Sequence, residues 1–136
     1  MRSLSEILSD VRERVSREFS TVRISTMEVS GQLLLELKAL NESRLPAVVV
    51  ILNSGQDTDN VRKEVLSLTL VLIDRFVAGS DEKALSALNS LQRLRDLFPR
   101  DVTTLNGVHY CPVRFYACST DPKYACFAFE IEAQQA

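Results

Sequence analysis

Residues 45–51, LPAVVVI, decide the fold of this chain. Pro46 restricts Leu45 to extended conformations and prevents a helix from continuing through this point. The β-branched run from Val48 to Ile51 then favours a strand, and because no polar residue interrupts it we expect burial on both faces. This pattern places the strand at the centre of a sheet.

A polar stretch and a second strand follow the central one. The segment from Asn53 to Arg62 contains Gly55 and several Asn and Asp residues, a composition typical of a loop. From Val65 to Ile73 the even positions are all leucine, whereas Ser67 and Thr69 occupy the opposite face. We therefore predict two paired strands joined by a polar loop.

The N-terminal part predicts two helices and a strand. Ser3 and Glu6 have the spacing of a capping box, and apolar residues then recur at helical intervals, so a helix is expected from Ser3 to Phe19. Alternation from Thr21 to Met27 predicts a short, half-buried strand. The stretch from Ser30 to Asn41 fits either geometry, but its Leu, Glu, Lys and Ala content favours a short helix.

A third helix is predicted from Asp81 to Phe98, capped by Ser80 and ended by Pro99. Its leucines recur every third residue from Leu85 onward, so the apolar surface turns around the helix axis. A helix that packs only on a sheet needs a stripe of roughly 100°. Part of this surface therefore either meets another molecule or leaves leucines at the helix ends partly exposed.

The C-terminal third alternates twice, from Cys111 to Ala117 and from Phe127 to Ile131, around turn residues 119–122. This predicts a β-hairpin in which the odd-numbered side chains of both strands face the core. The opposite charges of Arg114 and Glu130 favour a register that sets these two residues opposite each other, although a slip of two residues would keep every face. The same register pairs Phe115 with Phe129 and Cys118 with Cys126.

Together these elements predict a single α+β domain over residues 1–136. Its sheet is expected to be mostly antiparallel with about five strands, and two main helices and one short helix pack on it. A chain of 136 residues with 46% hydrophobic content has enough apolar surface for one core.

Charge and hydropathy exclude several classes of protein. The 16 basic and 18 acidic side chains leave a net charge of −2, which argues against direct nucleic-acid recognition. The apolar window from Leu66 to Ile73 is far shorter than the roughly 20 residues of a membrane helix, and the charged N-terminus lacks a secretory signal. Three cysteines without CxxC spacing indicate a reducing compartment.

No pattern of reactive side chains predicts chemistry. His109 is the single histidine, and its neighbour Cys111 has no third group to activate it. His109 and the three cysteines would be the four ligands of a zinc site. In the predicted register Cys111 points inward while Cys118 and Cys126 point outward, so we do not expect these side chains to form such a site. The glycines are too scattered for a phosphate loop. We therefore predict no catalytic site, no cofactor and no metal, and a protein that is not an enzyme.

The order of the predicted elements resembles that of the tail terminator, or tail completion, proteins of long-tailed bacteriophages. The residues that carry the resemblance are LPAVVVI at 45–51, the Asn53–Arg62 loop and the strand from Val65 to Ile73. The capped helix from Asp81 and the closing strand from Cys126 to Glu132 continue it. The region from Leu45 to Phe98 is the most similar.

The resemblance implies a structural protein of the virion that is assembled in the host cytoplasm and located at the head-proximal end of the tail. Such a subunit forms a homo-oligomeric ring, commonly of six copies, that caps the tail tube protein and presents a surface to the head connector or neck protein. A related neck or tail-completion role is an alternative. A cytoplasmic protein-binding adaptor and a small enzyme with an unfamiliar site are others.

Candidate interface residues come from three places. The polar loop would project toward the tube, and the helix and the strand face opposite the leucines would meet neighbouring subunits. They are Asp57, Asp59, Asn60, Arg62, Lys63, Val71, Ile73, Leu85, Leu94 and Leu97.

Overall fold

A computed structural model describes residues 2–26, 44–58, 63–100, 103–118 and 121–135. Helix α1 spans Leu4–Val15 and helix α2 spans Asp81–Asp96. The predicted short helix from Ser30 to Asn41 and the end of the predicted first strand at Met27 lie outside these residues. The strands are β1 (Thr21–Ser25), β2 (Ala47–Thr58), β3 (Lys63–Arg75), β4 (Thr103–Leu105), β5 (Val108–Ala117) and β6 (Tyr124–Gln135).

The strands form one six-stranded sheet in the order β1-β2-β3-β6-β5-β4. β1 runs parallel to β2, and the other four pairs are antiparallel. The prediction of a mostly antiparallel sheet with about five strands is therefore wrong, because the sheet is mixed and has six. β4, with three residues, is too short to show a periodic pattern, and side-chain alternation does not report the direction of a neighbouring strand.

β2 and β3 form a longer hairpin than predicted. β2 continues to Thr58, which pairs with Lys63, so residues 53–58 are strand where a loop was expected. Ladder hydrogen bonds do not require apolar side chains, and the side chains from Asn53 to Asp57 are exposed. A bulge at Asn53 interrupts the register, and the Asn53 amide donates a hydrogen bond to the Thr69 hydroxyl.

One face of the sheet, called the helix face below, carries both helices. α1 begins at the predicted capping box, in which Ser3 and Glu6 each accept from the other's backbone N–H. The ring centre of Phe98, just after α2, lies 5.9 Å from the ring centre of Tyr110 and 6.5 Å from that of Phe129. The main buried side chains are Ile7, Val11, Val15, Leu68, Leu70, Leu72, Leu91, Leu94, Phe98, Tyr110 and Phe129.

The opposite face of the sheet, called the second face below, is also buried at its centre. Val49, Ile51, Val71, Ile73 and Cys126 form a separate cluster there, and each exposes at most 2% of its surface. Residues 48–51 of β2 are buried on both faces, as predicted, but β2 is the second of the six strands and the central pair is β3 and β6.

The β5–β6 hairpin has the predicted register, with Arg114 opposite Glu130 and Phe115 opposite Phe129. A bulge between Pro112 and Arg114 exchanges the two faces of β5, however. Before the bulge, Tyr110 faces the core and Cys111 lies opposite Glu132 on the second face. The predicted inward orientation of Cys111 is therefore wrong, because one extra residue inverts the alternation.

Candidate assembly surfaces

The predicted interface residues divide between core and surface. Val71, Ile73 and Leu94 expose 2%, 0% and 0% of their surfaces, so they belong to the core of the monomer. Leu97 is partly buried against that core, and Leu85 is 59% exposed. Of the predicted loop residues, Asp57 and Lys63 are exposed, and Asp59, Asn60 and Arg62 lie outside the described residues. Val71 and Ile73 are therefore not accessible to a neighbouring subunit, and an apolar interface has to use other residues.

The first half of α2 carries an exposed apolar pair, Leu85 and Leu88, which we call the α2 patch. These leucines are 59% and 48% exposed, whereas Leu91 and Leu94 further along the helix are buried. The pair lies one turn apart on the same side of the helix. The three-residue spacing turns the stripe away from the sheet toward the N-terminus of α2, as the sequence predicts.

A second exposed apolar group lies on β5, near the C-terminal end of α2. Val113 is 58% exposed, Phe115 46% and Tyr116 37%. The guanidinium of Arg95 lies 4.1 Å from the centre of the Phe115 ring, a cation–π contact. Val113, Phe115, Arg95 and Arg100 line an open groove of about 330 Å³, which we call the β5 groove; Tyr116 lies on the other face of β5.

Side-chain alternation alone does not predict the β5 groove. It assigns the odd-numbered apolar residues of β5 to a buried face, so it gives no sign that some of them are exposed. Phe115 does lie on the helix face, opposite Phe129, and Arg95 of α2 lies over its ring, yet Phe115 remains 46% exposed. One signal was present in the sequence. Pro112 inside a strand pattern indicates an edge position, since proline cannot donate to a neighbouring strand.

Besides the outer edges of the terminal strands β1 and β4, two inner strands are only partly covered by a neighbouring strand in the described part of the chain. β1 covers β2 only from Ala47 to Ile51, which leaves residues 52–58 as the β2 open edge. β4 covers β5 only from Val108 to Tyr110, which leaves residues 111–117 as the β5 open edge. Unpaired backbone N–H and C=O groups of this kind are templates for pairing with another chain.

The groups considered for nucleophilic chemistry are not activated. His109 is exposed, and its Nδ1 lies 2.9 Å from the hydroxyl oxygen of Thr104. Burial raises the pKa of the Cys111 thiol, with a further contribution from Glu132, and burial also raises the pKa of Cys118. A nucleophilic cysteine needs the opposite shift, because its thiolate is the reactive form.

The cysteines do not converge on a common point. Cys111 lies opposite Glu132 and Cys118 hydrogen-bonds to Cys126, so the two positions are six residues apart along β6. This corresponds to about 20 Å at roughly 3.4 Å per residue. Within the residues that the structure describes, no group of three His, Cys, Asp or Glu side chains is placed to hold a metal ion. The two described helices are too short or too polar to cross a membrane.

Comparison with known proteins shows no family. No family model matches the chain. Over 78 residues the chain is 36% identical to the endonuclease MutS2 of Lachnospira eligens. The aligned part is 57% of this chain and 10% of that protein, so the chain spans about a tenth of the length of this curated relative.

Proposed function

We propose that this protein is a structural subunit that forms a ring at the head-proximal end of a bacteriophage tail. In this role it caps the tail tube and offers a surface to the head connector, and it performs no chemistry. The proposal is supported by the resemblance in the order of elements, from the buried strand at 45–51 through the β2–β3 hairpin to α2 and the closing hairpin.

The observation that carries the proposal is the grouping of exposed apolar side chains at two places. The α2 patch lies on the first half of α2, and the β5 groove lies beside Arg95 in its last turn. A closed ring is built from heterologous contacts, in which one surface of a subunit meets a different surface of the next. Such a subunit needs separate patches, and a capping ring needs further surface for its partners.

The proposal is tested by the assembly state of the purified protein. Sedimentation velocity over a range of concentrations should show a discrete oligomer, and negative-stain electron microscopy should show closed rings. The variant Leu88→Asp, which places a charge on an exposed position, should leave the monomer folded. The α2 patch is offered to the tail tube or the connector, so this variant should weaken binding to tube ends, and unchanged binding would contradict that role of the patch.

Two further results bear on the role at the tail. Purified rings should bind to the ends of tail tubes from a phage that encodes this protein, and not along their length. A protein that stays monomeric at its highest soluble concentration, or rings that ignore tube ends, would contradict the proposal. Circular dichroism of each variant controls for folding.

A second candidate function is a cytoplasmic adaptor that binds one partner protein. The observation that favours it is the β5 open edge, because an exposed edge beside a groove can take an extended peptide as an added strand, and the β5 groove offers both apolar side chains and arginines to that peptide. An adaptor of this kind would remain a monomer and bind an extended peptide. The sedimentation experiment therefore separates the two candidates.

A further inference from the structure

The two open edges lie on opposite sides of the sheet and at opposite ends of it. The registers set Val50 of β2 level with Leu70, Phe129 and Phe115, and Asp57 level with Glu64 and Gln135. The β2 open edge is therefore at the end where β4 covers β5. The β5 open edge is at the end where β1 covers β2. Among the described residues, the end of the sheet at which β2 lacks a neighbour is thus the end at which β5 has one, and the reverse holds at the other end.

Unbalanced charge accompanies both open edges. Asp57 lies directly opposite Glu64 across the β2–β3 hairpin, a like-charge pair that destabilises this end of the hairpin unless a cation lies nearby. Neither carboxylate is in an ion pair within the described residues, although Gln135 donates a hydrogen bond to Glu64. At the β5 groove, Arg95 and Arg100 also lack a carboxylate partner in that part of the chain, whereas Arg114 is paired with Glu130.

The side chains that carry or adjoin these charges also lie on the same face of the sheet. Asp57 is on the helix face, because its partner Glu64 is two residues from Leu66, whose side chain is in the helix-face core. Phe115 is on the same face, opposite Phe129, and Arg95 reaches it from α2. If one sheet continues into the next with the helix faces on the same side, the acidic and basic side chains meet.

We propose that the β5 open edge of one subunit pairs with the β2 open edge of a second copy of this chain. This inference rests on the proposed ring and names its subunit contact. β2 and β5 run in opposite directions within the sheet, so a continuous intersubunit sheet makes the new pair antiparallel. Asp57 then lies opposite Phe115, beside Arg95 and Arg100, and Gln56 lies opposite Tyr116 on the second face. Gly55 meets Ala117, so no bulky pair occurs there.

The bulges and the proline limit the contact to two short segments. The bulge at Asn53 and the bulge after Pro112 lie at the inner ends of the two open edges, and Pro112 itself cannot donate to a neighbour. Residues 54–58 of β2 and 114–117 of β5, which follow these bulges, contain neither a bulge nor a proline. Features of this kind block indiscriminate edge pairing, and here they leave two short, regular segments, one that carries Asp57 and one that lies beside Arg95 and Arg100.

The contact implies a stagger between neighbouring subunits. Because Phe115 is level with Val50 of its own sheet, bringing Asp57 of the neighbour to Phe115 displaces the neighbour along the strands by about 20 Å. A closed ring accommodates a stagger when its strands tilt relative to the ring axis, as they do in β-barrels. The α2 patch stays outside this contact and is available to the tail tube or connector.

Charge reversal tests the contact. Asp57→Arg alone and Arg100→Glu alone should each raise the concentration of half-assembly by about tenfold or more, because each places like charges together. The double variant Asp57→Arg/Arg100→Glu should recover much of the loss. Arg17→Glu, an exposed reversal on the turn after α1, is the matched control and should assemble like the wild-type protein.

Cross-linking tests the register. In a chain that carries Cys111→Ser and Cys118→Ser, the pair Gln56→Cys and Tyr116→Cys should form intersubunit disulfides with diamide and give a ladder of covalent oligomers. Arg17→Cys with Tyr116→Cys should not. Rings that form normally but are insensitive to both single reversals, or give no ladder, overturn this contact and leave the proposed function standing. A wild-type protein that never associates overturns both.

Discussion

Arg114 on β5 and Glu130 on β6 lie directly opposite each other, joined by two hydrogen bonds of 2.5 and 3.1 Å from the guanidinium to the carboxylate. The pair sits on the solvent side of the hairpin, where the Arg114 side chain is 65% exposed. Exposed pairs of this kind add little to stability, but opposite charges across a ladder select one register from those that keep the same faces.

The hairpin register is tested by exchanging these charges. Glu130→Arg places two cations opposite each other and should lower the urea midpoint modestly more than Glu130→Gln does. The exchange Arg114→Glu/Glu130→Arg should return the midpoint close to the wild-type value. If the exchange is no better than Glu130→Arg alone, the two side chains do not face each other in solution.

The two kinds of leucine on α2 should respond differently to truncation. Leu94 is fully buried in the helix-face core, so Leu94→Ala should lower the free energy of unfolding by about 2–5 kcal/mol. Leu85 is 59% exposed, and Leu85→Ala should change it by no more than about 0.5 kcal/mol in the monomer. Urea unfolding of both variants gives the comparison, and equal losses would contradict the orientation of α2.

Tyr110 is expected to make stability fall at alkaline pH. Its hydroxyl is buried without a hydrogen-bond partner among the described residues, and burial raises its pKa to about 12. The phenol of the unfolded chain ionises near pH 10 while the folded one stays neutral. The stability that this group contributes is therefore present below pH 10 and is lost as the pH rises from about 10 to about 12.

Tyr110→Phe separates this effect from other alkaline titrations. The variant removes a buried polar atom that lacks a partner, so at neutral pH it should be as stable as the wild-type protein or more stable. Its urea midpoint should decline less between pH 10 and 12. Tyr116→Phe, at a 37% exposed position, is the control and should keep the wild-type profile more closely.

The cysteines at the end of the β5–β6 hairpin should form a disulfide on mild oxidation. The Cys118 N–H donates to the Cys126 carbonyl at 2.9 Å, and both side chains belong to the second-face cluster. Directly opposite residues have Cα atoms about 4.5–5.5 Å apart, within the range that a disulfide spans. Diamide should therefore remove two hydrogen atoms from the intact monomer.

Mass spectrometry with peptide mapping identifies the linked pair. Cys118→Ser should abolish the loss of hydrogen, and Cys111→Ser should leave it unchanged, because Cys111 lies far along β6 at Glu132. A disulfide that joins Cys111 to either of the other cysteines would show that the hairpin register is different in solution.

Much of the fold could be predicted from local patterns. The capping box at Ser3, the proline before the run from Val48 to Ile51 and the charges of Arg114 and Glu130 each depend on neighbours in sequence or on one directly opposing strand. The same kind of pattern could not reveal the bulge after Pro112, because one inserted residue inverts the faces without changing composition. It also could not show that residues 53–58 extend β2, since backbone pairing leaves no mark on side chains that remain exposed.

Short-range periodicity and charge suffice to predict the two helices, the buried strands of the hairpin around residues 47–73 and the pairing of β5 with β6. The tertiary structure was needed to show that β1 lies parallel to β2, that Val71 and Ile73 are core residues, and that Phe115 is 46% exposed. Exposure depends on what covers a side chain from elsewhere in the chain. Among the described residues, the two open edges lie where the neighbouring strands β1 and β4 end before β2 and β5 do, and the α2 patch lies where α2 turns its leucines away from the sheet.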